Sequence, residues 1–447
     1  MMHYTDCFKA GSKAAQKKRK TRRSIRFSFF TRCALSVCVF AFAVSCATQK
    51  PLGERPPEEK RPPTEPSSET TPSIPDDEKG SLDTSPIPPE ADYLTIVAVG
   101  DNLYHDPMIT LITKQDPVDP SEFYSEIAPL IENVDIAFVN QETALAGQDF
   151  GYSGYPQFNT PQIVGGALVA AGFNVVNHAT NHIMDKGEKA VFATMDFWDK
   201  YPEIVCLGVH RSEEASGNPV IIEKNNIKIG FLSYTYGTNG LPIPKSKPYL
   251  VPLINDQRIA KDLDALRPNC DLLIVSMHWG EEYRLQQNKE QERLAQLLAD
   301  HKADVIIGHH PHVLEPAVFL TGKEGNTTFC VYSLGNFLSA QAESPTLLGG
   351  MLTLKIKKHE GAISIESAGV LPLVTHYEKG YTNFKVYPLY AYSDETAAKH
   401  LRALQGKNVS VRYFTSLAKQ VLGDMMIEYP THQPVAAPTT LGGKEGG

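Results

Sequence analysis

Val305-Ile306-Ile307-Gly308-His309-His310-Pro311-His312 passes from a short apolar run, through a glycine, into three histidines within four residues. The apolar run reads as a buried strand. Histidines at its end are costly to bury idle, because each ring needs hydrogen-bond partners. The pattern recurs elsewhere in the chain. Val175-Val176 precedes His178-Ala179-Thr180-Asn181-His182-Ile183-Met184-Asp185, and Leu272-Leu273-Ile274-Val275 precedes His278-Trp279-Gly280-Glu281-Glu282-Tyr283. Upstream, Gly100-Asp101 and Asn140-Gln141-Glu142 place carboxylates after similar runs. Ligands at the ends of several strands converge on one spot in an α/β domain. The chemistry such a set supplies is that of a metal site.

A β/α rhythm surrounds these stretches. Leu94–Val99, 135–139, 175–177, 204–207, 272–275 and 305–307 read as strands, with helices expected over 121–131, 161–171, 188–200, 257–266 and 289–301. Asn225-Asn226 between apolar runs marks a hairpin. Alternating strands follow at 318–320, 328–333, 351–356 and 362–365, and terminal helices are expected over 396–404 and 415–427. The fold class is α/β with mixed sheets, two sheets packed together between helices. The expected domain spans 93–375, with a helical extension over 376–428 and a loose Pro/Gly/Thr-rich tail over 429–447.

The 447 residues carry a net charge of −8 that joins two unlike parts. Residues 1–45 hold ten Lys/Arg and one Asp, and the remainder holds 33 basic against 50 acidic residues. So acidic a body argues against nucleic acid as a partner. The basic leader precedes an uncharged apolar run from Cys33 to Val44, too short for a spanning helix and ending in small residues. Ala43-Val44-Ser45-Cys46 resembles a bacterial lipobox, with Ala where Leu is usual, in which Cys46 becomes the lipidated N-terminus. Residues 1–46 are therefore expected to be a signal peptide, and 47–92, rich in Pro, Glu, Ser and Thr, a disordered tether. The expected location is extracytoplasmic, on a membrane anchor at the bacterial cell surface. Cys206, Cys270 and Cys330 lie in or beside apolar segments and read as buried free thiols, with one disulfide as the alternative.

Each candidate ligand has a bland reading beside the chemical one. Asp101 and Glu142 could be turn or surface carboxylates. His178 and His182 could cap a helix, and His278 could be a satisfied core histidine. In Asn181-His182 the amide oxygen can coordinate a cation while the imidazole moves a proton, and Asp185 is close enough to orient that imidazole. The H-x-H spacing of His310 and His312 lets two imidazoles reach one metal cluster, with Pro311 stiffening the loop. Jointly these residues offer the carboxylate, amide and imidazole donors expected for Mn, Fe or Zn in a two-metal hydrolase.

The stretches at 100–101, 140–142, 179–187, 278–283, 308–313 and Tyr332-Ser333-Leu334-Gly335-Asn336-Phe337 stand in an order that resembles the CapA family, named for poly-γ-glutamate capsule synthesis. That family is similar to the calcineurin-like metallophosphoesterases. The resemblance covers roughly 93–375. It implies a four-layer αββα sandwich with one or two divalent metal ions held by Asp101, Glu142, Asn181, His278, His310 and His312. His182 would be the proton donor, supported by Asp185, and a metal-held hydroxide would attack. Glu281, Tyr332, Ser333 and Asn336 would line the substrate cleft. The implied partners are an anionic envelope polymer or its precursor, the membrane and other capsule synthesis subunits.

The departures from the phosphoesterase pattern concern the first metal position. Leu103 stands where Asp-x-His has its histidine, with His105 the nearest alternative, and Asn140-Gln141-Glu142 replaces Gly-Asp-x-x-Asp. Two functional readings follow. One is a metal-dependent hydrolase or transferase in envelope polymer metabolism. The other is a non-catalytic polymer-binding or export subunit on the same fold.

Overall fold

The computed structural model describes residues 91–429. The leader with Cys46, most of the tether and the tail from 430 lie outside the described residues. Fourteen strands form two mixed sheets. They are β1 Asp92–Asn102, β2 Ile136–Gln141, β3 Val175–Asn177, β4 Val205–Leu207, β5 Val220–Lys224, β6 Ile227–Thr235 and β7 Leu272–His278. Then come β8 Val305–His309, β9 Leu314–Thr321, β10 Thr327–Leu334, β11 Asn336–Leu338, β12 Leu348–His359, β13 Ala362–Glu378 and β14 Thr382–Pro388. The first sheet runs β14-β13-β12-β1-β2-β3-β4, with β11 also on β1, and the second runs β5-β6-β7-β8-β10-β9.

Within each sheet the central strands are parallel and share one polarity. β1 to β4 pair in parallel, as do β6, β7, β8 and β10. Their near-continuous apolar runs fit burial on both faces. The sheets pack through one core that holds Phe138, Ala98, Phe231, Ile274, Ile307 and Phe329. On the far side of the second sheet, helices Asp256–Leu266 and Lys289–Asp300 bury Ile259, Leu263, Leu294 and Leu298 against Leu273, Val275 and Ile306. The second of these helices starts at a capping box, with Asn288 and Gln291 exchanging side-chain and backbone bonds. Helices Asp106–Thr113 and Ile163–Ala170 bury side chains in the same core as the first sheet, and Val411–Leu422 adds Phe414, Leu417 and Ala418 to it while packing on β9 at the edge of the second. The layer order is αββα.

Two expected elements differ. Residues 121–131 form a 3-10 turn, Pro120–Tyr124, and a separate helical turn, Ala128–Ile131, rather than one helix. Pro129 lacks the N–H and crowds the carbonyl four residues back, so a helix cannot run through it. Asp119 is the cap, and it accepts from the Ser121 N–H at 2.9 Å. The boundary expected at 375 falls inside a strand: β13 runs to Glu378 and β14 adds an edge. The segment after it is stitched into the main core through Phe384, Leu401, Phe414 and Ile427, so 376–428 is not a helical appendage. Among the described residues no helix is long and apolar enough to cross a membrane. Cys206, Cys270 and Cys330 are free thiols.

Candidate metal centre

Strand register brings the chemistry together. Asp101 on β1 pairs with Asn140 on β2, Asn140 with Asn177 on β3, and Asp101 also with Asn336 on β11. In the second sheet His278 pairs with His309. Every candidate ligand therefore follows a parallel strand at its C-terminal end, where the α/β rule puts a binding site. Two glycines make the approach possible. A Cβ on Gly100 would lie 1.9 Å from the Gly335 carbonyl oxygen, and one on Gly308 would lie 1.8 Å from that of Tyr332. Any side chain there would push the crossing backbones apart and move Asp101 and the histidine loop with them.

The six expected ligands form one contiguous, buried cluster. His312 Nδ1 lies 3.1 Å from Asp101 Oδ2 and 3.8 Å from Glu142 Oε2. His278 Nε2 lies 3.7 Å from Glu142 Oε1 and 2.9 Å from Asn181 Oδ1. The His310 ring centroid is 5.0 Å from that of His278 and 5.9 Å from that of His312. Ligand atoms of Glu142, His310 and His312 all lie within 4.8 Å of one another, and these residues form a candidate metal-binding triad. Both His310 and His312 have left-handed backbones, φ +98° and +59°. Such conformations are strained for residues with a Cβ and cluster at functional sites. Asp101 fixes this loop by accepting from the His310 N–H at 3.3 Å.

Electrostatics sharpen the picture. Burial pushes the Glu142 carboxyl well above the usual range; Asp101 and Glu282 push it further, against the pull of His312. Burial would also raise Asp101, but the hydrogen bond and charge of His312, with His309 and Asn140, hold it below its ordinary value. For His312 burial is likewise outweighed: Glu142 and Asp101 raise the imidazole to about 9. Burial and the neighbouring histidines drive His278 well below its ordinary value and His310 to about 3. Four buried atoms here have no hydrogen-bond partner: both Glu142 carboxylate oxygens, His278 Nδ1 and His310 Nδ1. Oxygen and neutral-imidazole donors left unsatisfied in this way fit a divalent cation of the Mn, Fe or Zn type.

A histidine–carboxylate pair stands beside the cluster. His182 Nδ1 is 2.7 Å from Asp185 Oδ2, and the same oxygen accepts from the Phe158 N–H at 2.8 Å. The Phe158 edge meets the His182 ring at 4.7 Å between centroids. Asn336 belongs to the centre as a positioning residue: its Oδ1 lies 3.1 Å from His312 Nδ1, while its amide N–H donates to Gln341 Oε1 and Thr346 O.

Three of the expected cleft residues lie elsewhere. Tyr332 points away from the site into the helix-covered core, its ring stacked on Trp279. Alternation along β10 puts its side chain on that face. Ser333 is turned into the backbone, donating to Val313 O at 2.8 Å and accepting from the Gly335 N–H at 3.0 Å. Glu281 is exposed and pairs with Arg284 at 3.3 Å, whereas its neighbour Glu282 acts on Glu142 and His312. His105, the nearest histidine to Asp101 in sequence, has its Nδ1 3.2 Å from Leu103 O and 3.3 Å from the Ala340 backbone nitrogen.

Sequence reasoning missed the groups that orient the ligands. Asn140 donates to Asp101 Oδ1 at 2.8 Å and Asn177 donates to Asn140 Oδ1 at 2.7 Å, a relay across three strands. Asn239 Nδ2 lies 3.3 Å from His182 Nδ1, and its Oδ1 accepts from Asn181 at 3.2 Å. The available signal was asparagine at consecutive strand ends, in Asn140-Gln141 and Asn177-His178.

The arrangement defines a class: an αββα sandwich with a buried histidine–carboxylate centre where parallel strands of two sheets end. The chain belongs to the bacterial capsule synthesis protein PGA_cap family, whose match over residues 95–341 contains every residue of that centre. It is similar to the capsule biosynthesis protein CapA of Bacillus anthracis, 32% identical over 201 residues, 44% of this chain and 47% of that protein. It is also similar to the PGA biosynthesis protein CapA of Bacillus subtilis (strain 168), 33% identical over 190 residues, 42% and 48% of the two chains. The chain thus spans about half the length of the curated relatives it matches. Among solved structures, the calcineurin-like phosphoesterase YfkN from Bacillus subtilis is similar at 14% identity and a TM-score of 0.36, over 74% of this chain and 97% of that one. The Haemophilus influenzae NAD nucleotidase is similar at 12% identity and a TM-score of 0.39, over 76% and 65%.

Proposed function

We propose that this chain is a metal-dependent hydrolase or transferase in the synthesis of a capsule or other envelope polymer. On this reading it is held at the outer face of the membrane through a lipid on Cys46. The observation that carries the catalytic reading is the buried cluster of Asp101, Glu142, Asn181, His278, His310 and His312 with its unsatisfied donor atoms. A divalent metal held there would activate water and offset the charge that builds on the group under attack. The chain's own residues do the rest. Asp185 holds His182 by Nδ1, which leaves Nε2 to pass a proton to the departing oxygen. Phe158 and Asp185 fix the ring plane. Asn140 and Asn336 keep Asp101 and His312 in register, so the ligands need little rearrangement. The partners on this reading are an anionic envelope polymer or its precursor and other capsule synthesis subunits.

Metal analysis of the purified protein tests the reading. Stoichiometric Mn, Fe or Zn is expected in the wild type or after reconstitution, and none in His310→Ala. Metal at about a thousand times its dissociation constant should stabilise the wild type by about 4 kcal/mol, and the variant not at all. A wild type that holds no divalent metal would sink the proposal. One observation favours a second reading, a polymer-binding or export subunit that does no chemistry: Leu103, a buried apolar residue, stands where the phosphoesterase Asp-x-His pair has its histidine. Polymer production unchanged in His182→Ala would favour that reading.

A further inference from the structure

A cavity of about 250 Å³ opens at the side of the sandwich, between β4 of the first sheet and β6 of the second. Helix Asp256–Leu266 forms one wall and presents Arg258 and Asp262 to it. None of the lining residues is a candidate metal ligand. The volume is below the ~300–1,000 Å³ that drug-sized ligands occupy, so a guest here is small. Part of the wall is an unfinished sheet edge. The Asn225-Asn226 turn closes on Lys224 and Ile227, so Ile227, Ile229 and Phe231 turn their backbone groups toward β5. The alternate residues face β7: Lys228 O accepts from the Asp271 N–H at 2.8 Å, and the Tyr236 N–H donates to His278 O at 3.0 Å. But β5 stops at Val220, opposite Phe231. Further along the same edge Thr235 donates to Pro252 O at 3.0 Å and accepts from the Ile254 N–H at 2.9 Å. Ser233 lies between the two. By the same alternation its N–H and carbonyl face this edge, and among the described residues nothing bonds them there.

Arg258 and Asp262 are the charged residues of the lining. Arg258 Nη2 donates to Ser216 Oγ at 3.0 Å and Nε to Asp262 Oδ2 at 3.4 Å, and the Tyr234 hydroxyl donates to the same oxygen at 2.9 Å. Among the described residues Arg258 Nη1 and Asp262 Oδ1 have no partner. His210 adds no third charge: burial and the Arg258 guanidinium lower its imidazole to about 4, against the pull of Asp262. The two charges cancel, yet each keeps a free end. A lone anion or a lone cation would bring charge that the cavity cannot balance, whereas a guest carrying both signs matches both ends. On an open helix face an i,i+4 pair of this kind would be ordinary surface chemistry. Here it shares a cavity with a backbone donor and acceptor that have no partner, over an apolar floor of Phe231, Leu232 and Leu266.

We propose that this cavity binds a free α-amino acid with an apolar side chain. The carboxylate would sit on Arg258 and the Ser233 N–H, and the ammonium on Asp262 and the Ser233 carbonyl. Such a site is separate from the metal centre, and metal plays no part in its test.

Calorimetry on the purified full chain tests this with L-alanine, L-valine and L-leucine. Two further probes, 4-methylpentanoate and 3-methylbutylamine, keep the leucine side chain and carry one charge each. At least one amino acid should bind about tenfold or more tighter than either single-charge analogue. Arg258→Gln and Asp262→Asn should each weaken that amino acid about tenfold or more. Both residues belong to a partly exposed i,i+4 pair, so the helix tolerates their loss. Should either variant fail to fold, the comparison of analogues on the wild type decides alone. Binding of an analogue as tight as that of the amino acid overturns the proposal. Unchanged affinity in the two variants does so as well, and so does the absence of saturable binding by all three amino acids at ~10 mM.

Discussion

The two ends of the parallel strands treat their polar groups in opposite ways. Where the strands begin, half-buried carboxylates are answered by hydrogen bonds and cations. Asp135 Oδ2 accepts from the Thr95 N–H at 2.8 Å, and Asn174 bridges β2 to β3 through Ala137 N and Asp135 O. Asp304 Oδ2 accepts from the Leu273 N–H at 2.7 Å and from Arg267 at 2.6 Å, and Asp271 takes Lys358 at 2.8 Å. Where the strands end, Asp101 and Glu142 have no lysine or arginine partner among the described residues, and Glu142 has no hydrogen-bond donor among them. Both ends are polar. One uses that polarity to fasten the sheets, and the other leaves donor atoms to be completed from outside.

Glu315 tests whether every unpaired carboxyl at the strand ends belongs to the metal centre. It lies three residues beyond His312, with Oε2 accepting from Gln291 at 2.6 Å and Oε1 unpartnered. Burial raises its carboxyl to about 8, although the Gln291 bond pulls the other way. A raised carboxyl keeps its proton in the folded chain while the unfolded chain has already released it. Stability is therefore full below about pH 4.5 and falls as pH rises toward 8. At ~1.4 kcal/mol per unit this amounts to about 4–5 kcal/mol. Glu315→Gln should flatten the pH dependence of denaturant unfolding over that window and leave metal content unchanged. An unaltered slope, or lost metal, would place Glu315 with the ligands.

The answered end is broken by Arg267→Ala. Arg267 donates to Asp304 and to the carbonyls of Lys302, Cys270 and Asp271. Its removal leaves a half-buried carboxylate without its cation and three carbonyls without their donor, and should cost about 2 kcal/mol. Metal stoichiometry should not change, which reports that the fastening and the site are separate. A metal loss as large as the stability loss would show that the two ends are coupled.

What the sequence disclosed follows the same division. The six candidate ligands came from the family resemblance together with the apolar runs that precede the candidate stretches, and strands with short loops deliver their last residues to the sheet end. The boundary at 375 was misread because β14, Thr382–Pro388, has mixed burial typical of an edge strand and gives a weak pattern. Tyr332 was placed in the site through the family resemblance, and a matching motif says nothing of face; one step along a strand reverses the side chain. The Asp101–Asn140–Asn177 relay was invisible because its members lie 39 and 37 residues apart and meet only through register. Local chemistry announces ligands, whereas the groups that hold them emerge from pairing.

His309 refines the comparison at its finest scale. It neighbours two expected ligands, is fully buried, and has both ring nitrogens unpartnered. Yet it stacks on Phe138 between the sheets, with centroids 5.7 Å apart and planes 14° apart, and Nδ1 is 3.7 Å from Asp101 Oδ1. Burial drives its imidazole down to about 4, so it is a neutral ring among apolar ones. If unpartnered atoms mark ligands only where the backbone turns them to the strand ends, His309→Phe should keep metal content. It should change stability by no more than about 1 kcal/mol, and in the stabilising direction, since two unsatisfied nitrogens leave the core. Thermal unfolding with and without metal measures both. A variant that loses its metal would mean that Asp101 depends on this ring for its orientation, and the centre would then reach one layer deeper into the sandwich than the ligands themselves.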